Sequence, residues 1–160
     1  MINQDLMQNS LGKSALYKTL VLLGKRSYTE KQIQQKLLKK GYPEDIVESV
    51  IEYCINMGYL NDWEYVRQWI STYNRLKPMG RKRILYELKN KGIEQDIINY
   101  ILDESFSNDE EYQLAAGLIR RKVGHNLEID KKAAKRFYQL LLRRGFSHEI
   151  AMRVLNNLKY

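Results

Sequence analysis

One pattern occurs three times along this chain: an apolar, helix-length stretch closed by a basic residue and a glycine, then a second apolar helix. The copies run Ile33-Gln34-Gln35-Lys36-Leu37-Leu38-Lys39-Lys40-Gly41-Tyr42, Ile84-Leu85-Tyr86-Glu87-Leu88-Lys89-Asn90-Lys91-Gly92-Ile93 and Phe137-Tyr138-Gln139-Leu140-Leu141-Leu142-Arg143-Arg144-Gly145-Phe146. The glycines stand 51 and then 53 residues apart. Ile46, Ile97 and Ile150 follow them by five residues, and Val50, Ile101 and Val154 by nine. A period of this length is the mark of one helical module used three times, so function belongs to the array and its surface.

Helical periodicity runs throughout, and alternating β-branched runs are absent. In the first module, Leu16, Leu20 and Leu23 form an apolar stripe that Gly24 ends. Thr29 with Gln32 has the form of a capping box, and the helix carries Ile33 and Leu37 to Gly41. Pro43 suits the first turn of the next helix, which is expected to bury Ile46, Val50 and either Cys54 or Ile55. The second module starts near Asp62, a plausible N-cap. Tyr65, Trp69 and Tyr73 then recur every fourth residue beside Val66 and Ile70, which reads as core. The third starts near Asn108, with Leu114, Ala115, Leu118 and Ile119 as its stripe. Asp130 caps a longer middle helix, and Ser147 caps the last. Gly41, Gly92 and Gly145 read as helix C-caps with positive φ. The expected fold is all-α: three tandem, helix-turn-helix-like three-helix repeats in an elongated nine-helix molecule. The expected divisions are a flexible tail over 1–13 and repeats over 14–60, 61–107 and 108–160.

With one cysteine, Cys54, there is no intrachain disulfide, which fits a reducing compartment. Its place on an apolar helix face reads as a small buried hydrophobe. No segment has the ~20 consecutive apolar residues of a membrane span. The first twelve residues lack the basic and apolar regions of a secretory signal. The expected location is the cytoplasm.

Net charge is +8, which suits an acidic partner or serves solubility alone. Residues 1–57 carry +2 (8 basic, 6 acidic), 58–107 carry +1 (8 basic, 7 acidic), and 108–160 carry +5 (11 basic, 6 acidic). Within the second module, Arg75, Lys77, Arg81, Lys82, Arg83, Lys89 and Lys91 face only Glu87 over the same stretch. In the third, Arg120, Arg121, Lys122, Lys131, Lys132, Lys135, Arg136, Arg143 and Arg144 face Glu128 and Asp130. Each run reads either as a solvated face or as part of one basic strip fitted to a groove or phosphate backbone. The segment Leu76-Lys77-Pro78-Met79-Gly80-Arg81-Lys82-Arg83-Ile84 is the least generic. Pro78 turns Lys77 out of helical geometry, and Gly80 strips bulk from the helix start. Free helix-start N–H groups and three cations are expected to converge there, favouring an acidic partner.

At this motif the chain resembles the RecX family of bacterial recombinase regulators. The resemblance lies in Lys77-Pro78-x-Gly80-x-x-Arg83-Ile84-x-x-Glu87-Leu88-x-x-Lys91-Gly92-Ile93 and in Asn61-Asp62-Trp63-Glu64-Tyr65-Val66-Arg67 before it. It extends from about Ser14 to Leu158 and is weakest in the third module. Lys77 stands where the family more often has arginine, which keeps the charge without a bidentate contact. The resemblance implies a non-enzymatic, monomeric modulator, mainly an inhibitor, of the RecA recombinase and coprotease in DNA repair and the SOS response. It implies binding in the groove of the RecA–DNA filament, with weak, non-specific affinity for single- or double-stranded DNA and no membrane partner. The expected contact residues are Lys77, Arg81, Lys82, Arg83, Lys91, Arg120, Arg121, Lys131, Lys132, Lys135, Arg136, Arg143 and Arg144. Pro78, Gly80, Ile84, Gly41, Gly92 and Gly145 are expected to frame them.

A helix-turn-helix transcription regulator is the chief alternative. No dimerisation zipper is visible, however, and the basic residues are spread rather than gathered on one recognition helix. Catalysis is not expected: His125 and His148 lack a second ligand at metal spacing, no P-loop occurs, and Glu110-Glu111 is accounted for by the dipole of the helix it starts. No cofactor or metal is expected.

Overall fold

The repeat demands helices in threes, and nine are present among the described residues of the computed structural model: residue 6, residues 8–124 and residues 130–157. Part of the expected tail, His125, Glu128 and Leu158 lie outside that range. The helices are α1 (Ser10–Leu23), α2 (Glu30–Lys39), α3 (Glu44–Asn56), α4 (Asp62–Leu76), α5 (Arg81–Asn90), α6 (Gln95–Ser105), α7 (Asn108–Val123), α8 (Lys131–Arg143) and α9 (His148–Asn157). The chain forms two compact units. One holds residues 1–65 with 90–94, and the other holds 66–89 with 95–160.

In the first unit α1 packs on α2 and α3, and α2 on α3. The core gathers Ile33 and Leu37 of α2 with Ile46, Val47, Val50 and Cys54 of α3. Cys54 takes the inner position that Ile55, 41% exposed, does not, and burial pushes its thiol up to about 11. The stripe expected on α1 is displaced. Leu20 is exposed, and the buried positions are Gly12, Ala15, Leu16 and Thr19. Residues at i, i+3, i+4 and i+7 face inward here, all but Leu16 small, and Thr19 satisfies its hydroxyl on the Ala15 carbonyl at 2.9 Å,. α1 therefore starts inside the segment expected to be a tail, and Leu6 is buried beside Gly12.

Capping follows the sequence closely. Thr29 and Gln32 form a reciprocal box, as do Ser107 and Glu110 at α7. Asp130 accepts from Ala133 N at 2.6 Å, and Ser147 from Ile150 N at 3.1 Å. Pro43 sits one place earlier than expected, as the N-cap of α3 rather than in its first turn. Gly41, Gly92 and Gly145 have φ of +87°, +85° and +84°. At Gly41 and Gly145 the exit is a Schellman turn. Tyr42 N returns to Leu37 O at 3.3 Å and Phe146 N to Leu141 O at 3.1 Å,.

In the second unit α9 packs on α7 and α8 around Ala115, Ile119, Leu141, Phe146, Ile150 and Val154. Val66, Trp69 and Ile70 of α4 are buried, whereas Tyr73 is 44% exposed and stacks on Trp69 at 4.6 Å. Ile84 and Leu88 of α5 and Ile98, Ile101 and Leu102 of α6 are also buried. α8 has 13 residues against 10 in α2 and in α5, as the sequence led one to expect.

Candidate partner-binding surface

Pro78, Met79 and Gly80 are buried between α4 and α5, which turns the chain sharply and leaves Lys77 exposed. Asn74 Oδ1 accepts from Met79 N at 3.3 Å and steadies the turn. At the start of α5 three backbone N–H groups are engaged by the third module, while Arg83 N and Ile84 N turn back to Gly80 O. Gly80 N donates to Arg144 O at 2.9 Å, Lys82 N to Gly145 O at 3.3 Å, and Arg81 N to Glu111 Oε1 at 3.0 Å. Only glycine fits at 80: a Cβ there would overlap the Gly145 carbonyl and Phe146 N. The expected free helix-start N–H groups are therefore occupied within the chain.

Arg81 is likewise committed. Its guanidinium donates to Phe106 O at 3.0 Å and Leu102 O at 3.3 Å, and pairs with Asp103. It closes the C-terminal end of α6, where a cation and donors are both favoured. Lys82 and Arg83 remain exposed, Arg83 lying 2.5 Å from Glu87 and over the Tyr86 ring at 5.4 Å.

Glu111 was assigned to the dipole of its own helix, and the structure corrects this. It is 3% exposed, and burial raises its pKa against the lowering effect of the Arg81 N–H and the nearby cations. Asp62 is not a local cap either. Asn61 fills that place, its Oδ1 accepting from Glu64 N at 3.1 Å, while Asp62 Oδ1 accepts from Glu30 N at 3.0 Å. Burial raises the Asp62 pKa, with Glu94 adding to it. The same lock therefore occurs once in each unit. A carboxylate from one module's first helix caps the second helix of the module before it. The glycine turn of the later module closes the lock, with Lys91 O taking the Thr29 hydroxyl at 2.7 Å and Gly92 lying against Lys31.

In the second unit this lock brings two expected clusters together, because the Arg143-Arg144-Gly145 turn lies on Gly80, Lys82 and Arg83. Lys131, Lys132, Lys135, Arg136 and Arg143 are exposed on α8, as are Arg120, Arg121 and Lys122 at the end of α7. Lys91 and Arg144 are half-buried. The cations ending α7 complement its dipole. Those beginning α5 and α8 oppose theirs, and neither helix has an acidic residue in its first turn,.

Residues 15–54, 61–102 and 109–155 match the first, second and third three-helix domains of RecX. The chain belongs to the RecX family. It is 34% identical over 141 residues to the regulatory protein RecX of Pelodictyon phaeoclathratiforme, covering 88% of this chain and 86% of that one. It is 27% identical over 139 residues to the regulatory protein RecX of Mycobacterium avium, covering 85% and 79%. The crystal structure of RecX from Lactobacillus salivarius superposes with a TM-score of 0.82 over 91% of this chain and 95% of that one, at 22% identity. The family is one of regulatory proteins, and its three-helix domains account for the threefold pattern. No described helix is long and apolar enough to cross a membrane.

Proposed function

We propose that the chain acts in the cytoplasm as a regulator of the RecA recombinase, lying along the RecA–DNA filament and impeding strand exchange and coprotease activity. Membership of the RecX family supports this reading, and so does where its cations sit. Lys82 and Arg83 at the start of α5, and Lys131 and Lys132 at the start of α8, oppose the local helix dipole,. Positive charge so placed works against helix stability, and an acidic partner accounts for it. The turn that brings Arg144 and Gly145 onto the Gly80–Arg83 backbone carries the argument, since it draws together cations of two runs, Arg83 and Arg143, that stand more than 50 residues apart in sequence. In this reading Lys77, Lys82, Arg83, Arg136 and Arg143 face the partner, and Arg81 holds the frame.

The test is a full-length variant with Lys77→Glu, Lys82→Glu and Arg83→Glu. It should keep its helical circular dichroism and lose inhibition of RecA-driven strand exchange. Unchanged inhibition by the folded variant would refute the assignment. Footprinting on duplex DNA without RecA separates the transcription-regulator alternative, which requires a discrete protected site.

A further inference from the structure

Beside the shared basic surface, α7 and α8 form an open, shallow cleft of about 460 Å³ lined by Lys122, Arg136, Phe137, Leu140 and Arg143. Its chemistry is divided: three cations form the rim, and two half-buried apolar side chains form the floor. No ion pair to Lys122, Arg136 or Arg143 occurs among the described residues. The floor side chains pack against the third-module core from outside it. A cleft of this size is in the range that accepts a ligand side chain or two.

The spacing on α8 is informative. Arg136, Leu140 and Arg143 stand at i, i+4 and i+7, one helix face with a cation about 10 Å from its partner and an apolar residue between them,. The complement is acidic–apolar–acidic at the same helical spacing, which is how an amphipathic helix presents anchors to a groove. A nucleic-acid strand fits less well. Base stacking needs an open aromatic face, and Phe137 is half-buried against the core. We infer that this cleft receives an acidic amphipathic helix of a protein partner, its apolar side chain on Phe137 and Leu140 and its carboxylates on Arg136, Arg143 and Lys122. The inference deepens the function proposed above and rests on it only for which protein supplies the helix.

The test uses the full chain and no RecA, so its outcome is separable from that of the strand-exchange assay. The probe is a fluorescein-labelled helical peptide of about five turns, with Glu at i and i+7 and Leu at i+3 and i+4, titrated by anisotropy. Its sequence-scrambled isomer and an oligothymidylate of equal charge serve as comparators. The peptide should bind more tightly than its isomer, and Arg136→Glu with Arg143→Glu should weaken it about tenfold. A peptide with Lys in place of its two Glu residues should restore binding to that variant. The milder Arg136→Gln with Arg143→Gln gives a second reading if the reversal disturbs folding, and Lys13→Glu with Lys25→Glu, exposed cations of the other unit, should leave peptide binding unchanged. Equal binding of the scrambled isomer, or no rescue by the Lys peptide, overturns the proposal. So does an oligothymidylate that binds through Arg136 and Arg143 where the peptide does not.

Discussion

At three equivalent glycines the backbone turns left-handed in the same way, yet each glycine has a different neighbourhood. A Cβ at Gly41 would meet open space, at Gly92 it would strike the Lys31 side chain, and at Gly145 it would strike the Arg83 backbone. Alanine at Gly41 should therefore cost only the left-handed strain, about 1–2 kcal/mol. Gly92→Ala should cost more, since the atoms it meets are Lys31 Cβ and Cγ, which lie next to the backbone and cannot swing aside. Gly145→Ala should add roughly 1–3 kcal/mol of overpacking to the same strain. Urea midpoints of the three variants check the order, and equal losses at all three would show that φ alone governs the site. Arg81→Lys is a companion case. A lysine keeps the charge but lacks the fork that reaches the Leu102 and Phe106 carbonyls together,. The loss should be about 1–3 kcal/mol of stability, with little change in net surface charge. The role of the glycines as caps was legible in sequence because a helix exit is a local event. The role of Arg81 was not, because its acceptors lie 21 and 25 residues further along, and an arginine in a basic run looks the same whether free or committed.

Between elements, Asp62 and Glu111 do the joining, each lending a carboxylate to the first N–H of a helix in the preceding module. Asp62→Ala or Glu111→Ala strands that N–H and should cost about 1–2 kcal/mol. Asp62→Asn behaves differently. The amide oxygen can still accept from Glu30 N, but the buried charge and its repulsion by Glu94 and Glu30 disappear. Burial first, then the Glu94 charge, holds the Asp62 carboxyl above its ordinary 3.8 against the lowering effect of the Glu30 N–H, and Glu30 is raised above 4.5 by burial and then by the Asp62 and Glu94 charges. The folded chain thus keeps protons that the unfolded chain has already lost. Stability from this pair falls as pH rises through the folded values and returns as pH drops toward the ordinary ones. Asp62→Asn should raise stability near pH 7 and flatten the fall in stability that sets in above the ordinary 3.8, measured as denaturation midpoints from about pH 3 to pH 7,. A steeper slope, or lower stability at neutral pH, would show that the charge itself is needed. Helix lengths and most caps were readable from periodicity and from residues three apart. The locks were not, since an acid at a helix start already has a local explanation in the dipole. The true stripe of α1 was hidden in a related way: Gly12 and Thr19 are not apolar by type, and only packing reveals them as inward-facing.

For the molecule, each lock makes one module's second helix depend on the next module's glycine turn. In the second unit Gly80, Arg81 and Lys82 give their backbone N–H groups to residues of α7 and of the turn after α8. A lesion confined to the third module should therefore be felt in the second. Phe146 is the sharpest choice: it is 1% exposed, directly follows Gly145 and belongs to the third-module core. Phe146→Ala should cost about 3–5 kcal/mol. Hydrogen exchange at the Gly80, Arg81 and Lys82 amides should then accelerate together with α8 and α9. Amides of α2, locked instead by Asp62 and Lys91 in the other unit, should keep their protection. Protection at the start of α5 that survives the loss of α8 and α9 would mean that the modules open independently. The basic surface would then be assembled only transiently, because the segments that carry Arg83 and Arg143 are held together by the Gly80–Arg144 and Lys82–Gly145 backbone bonds whose opening this experiment reads.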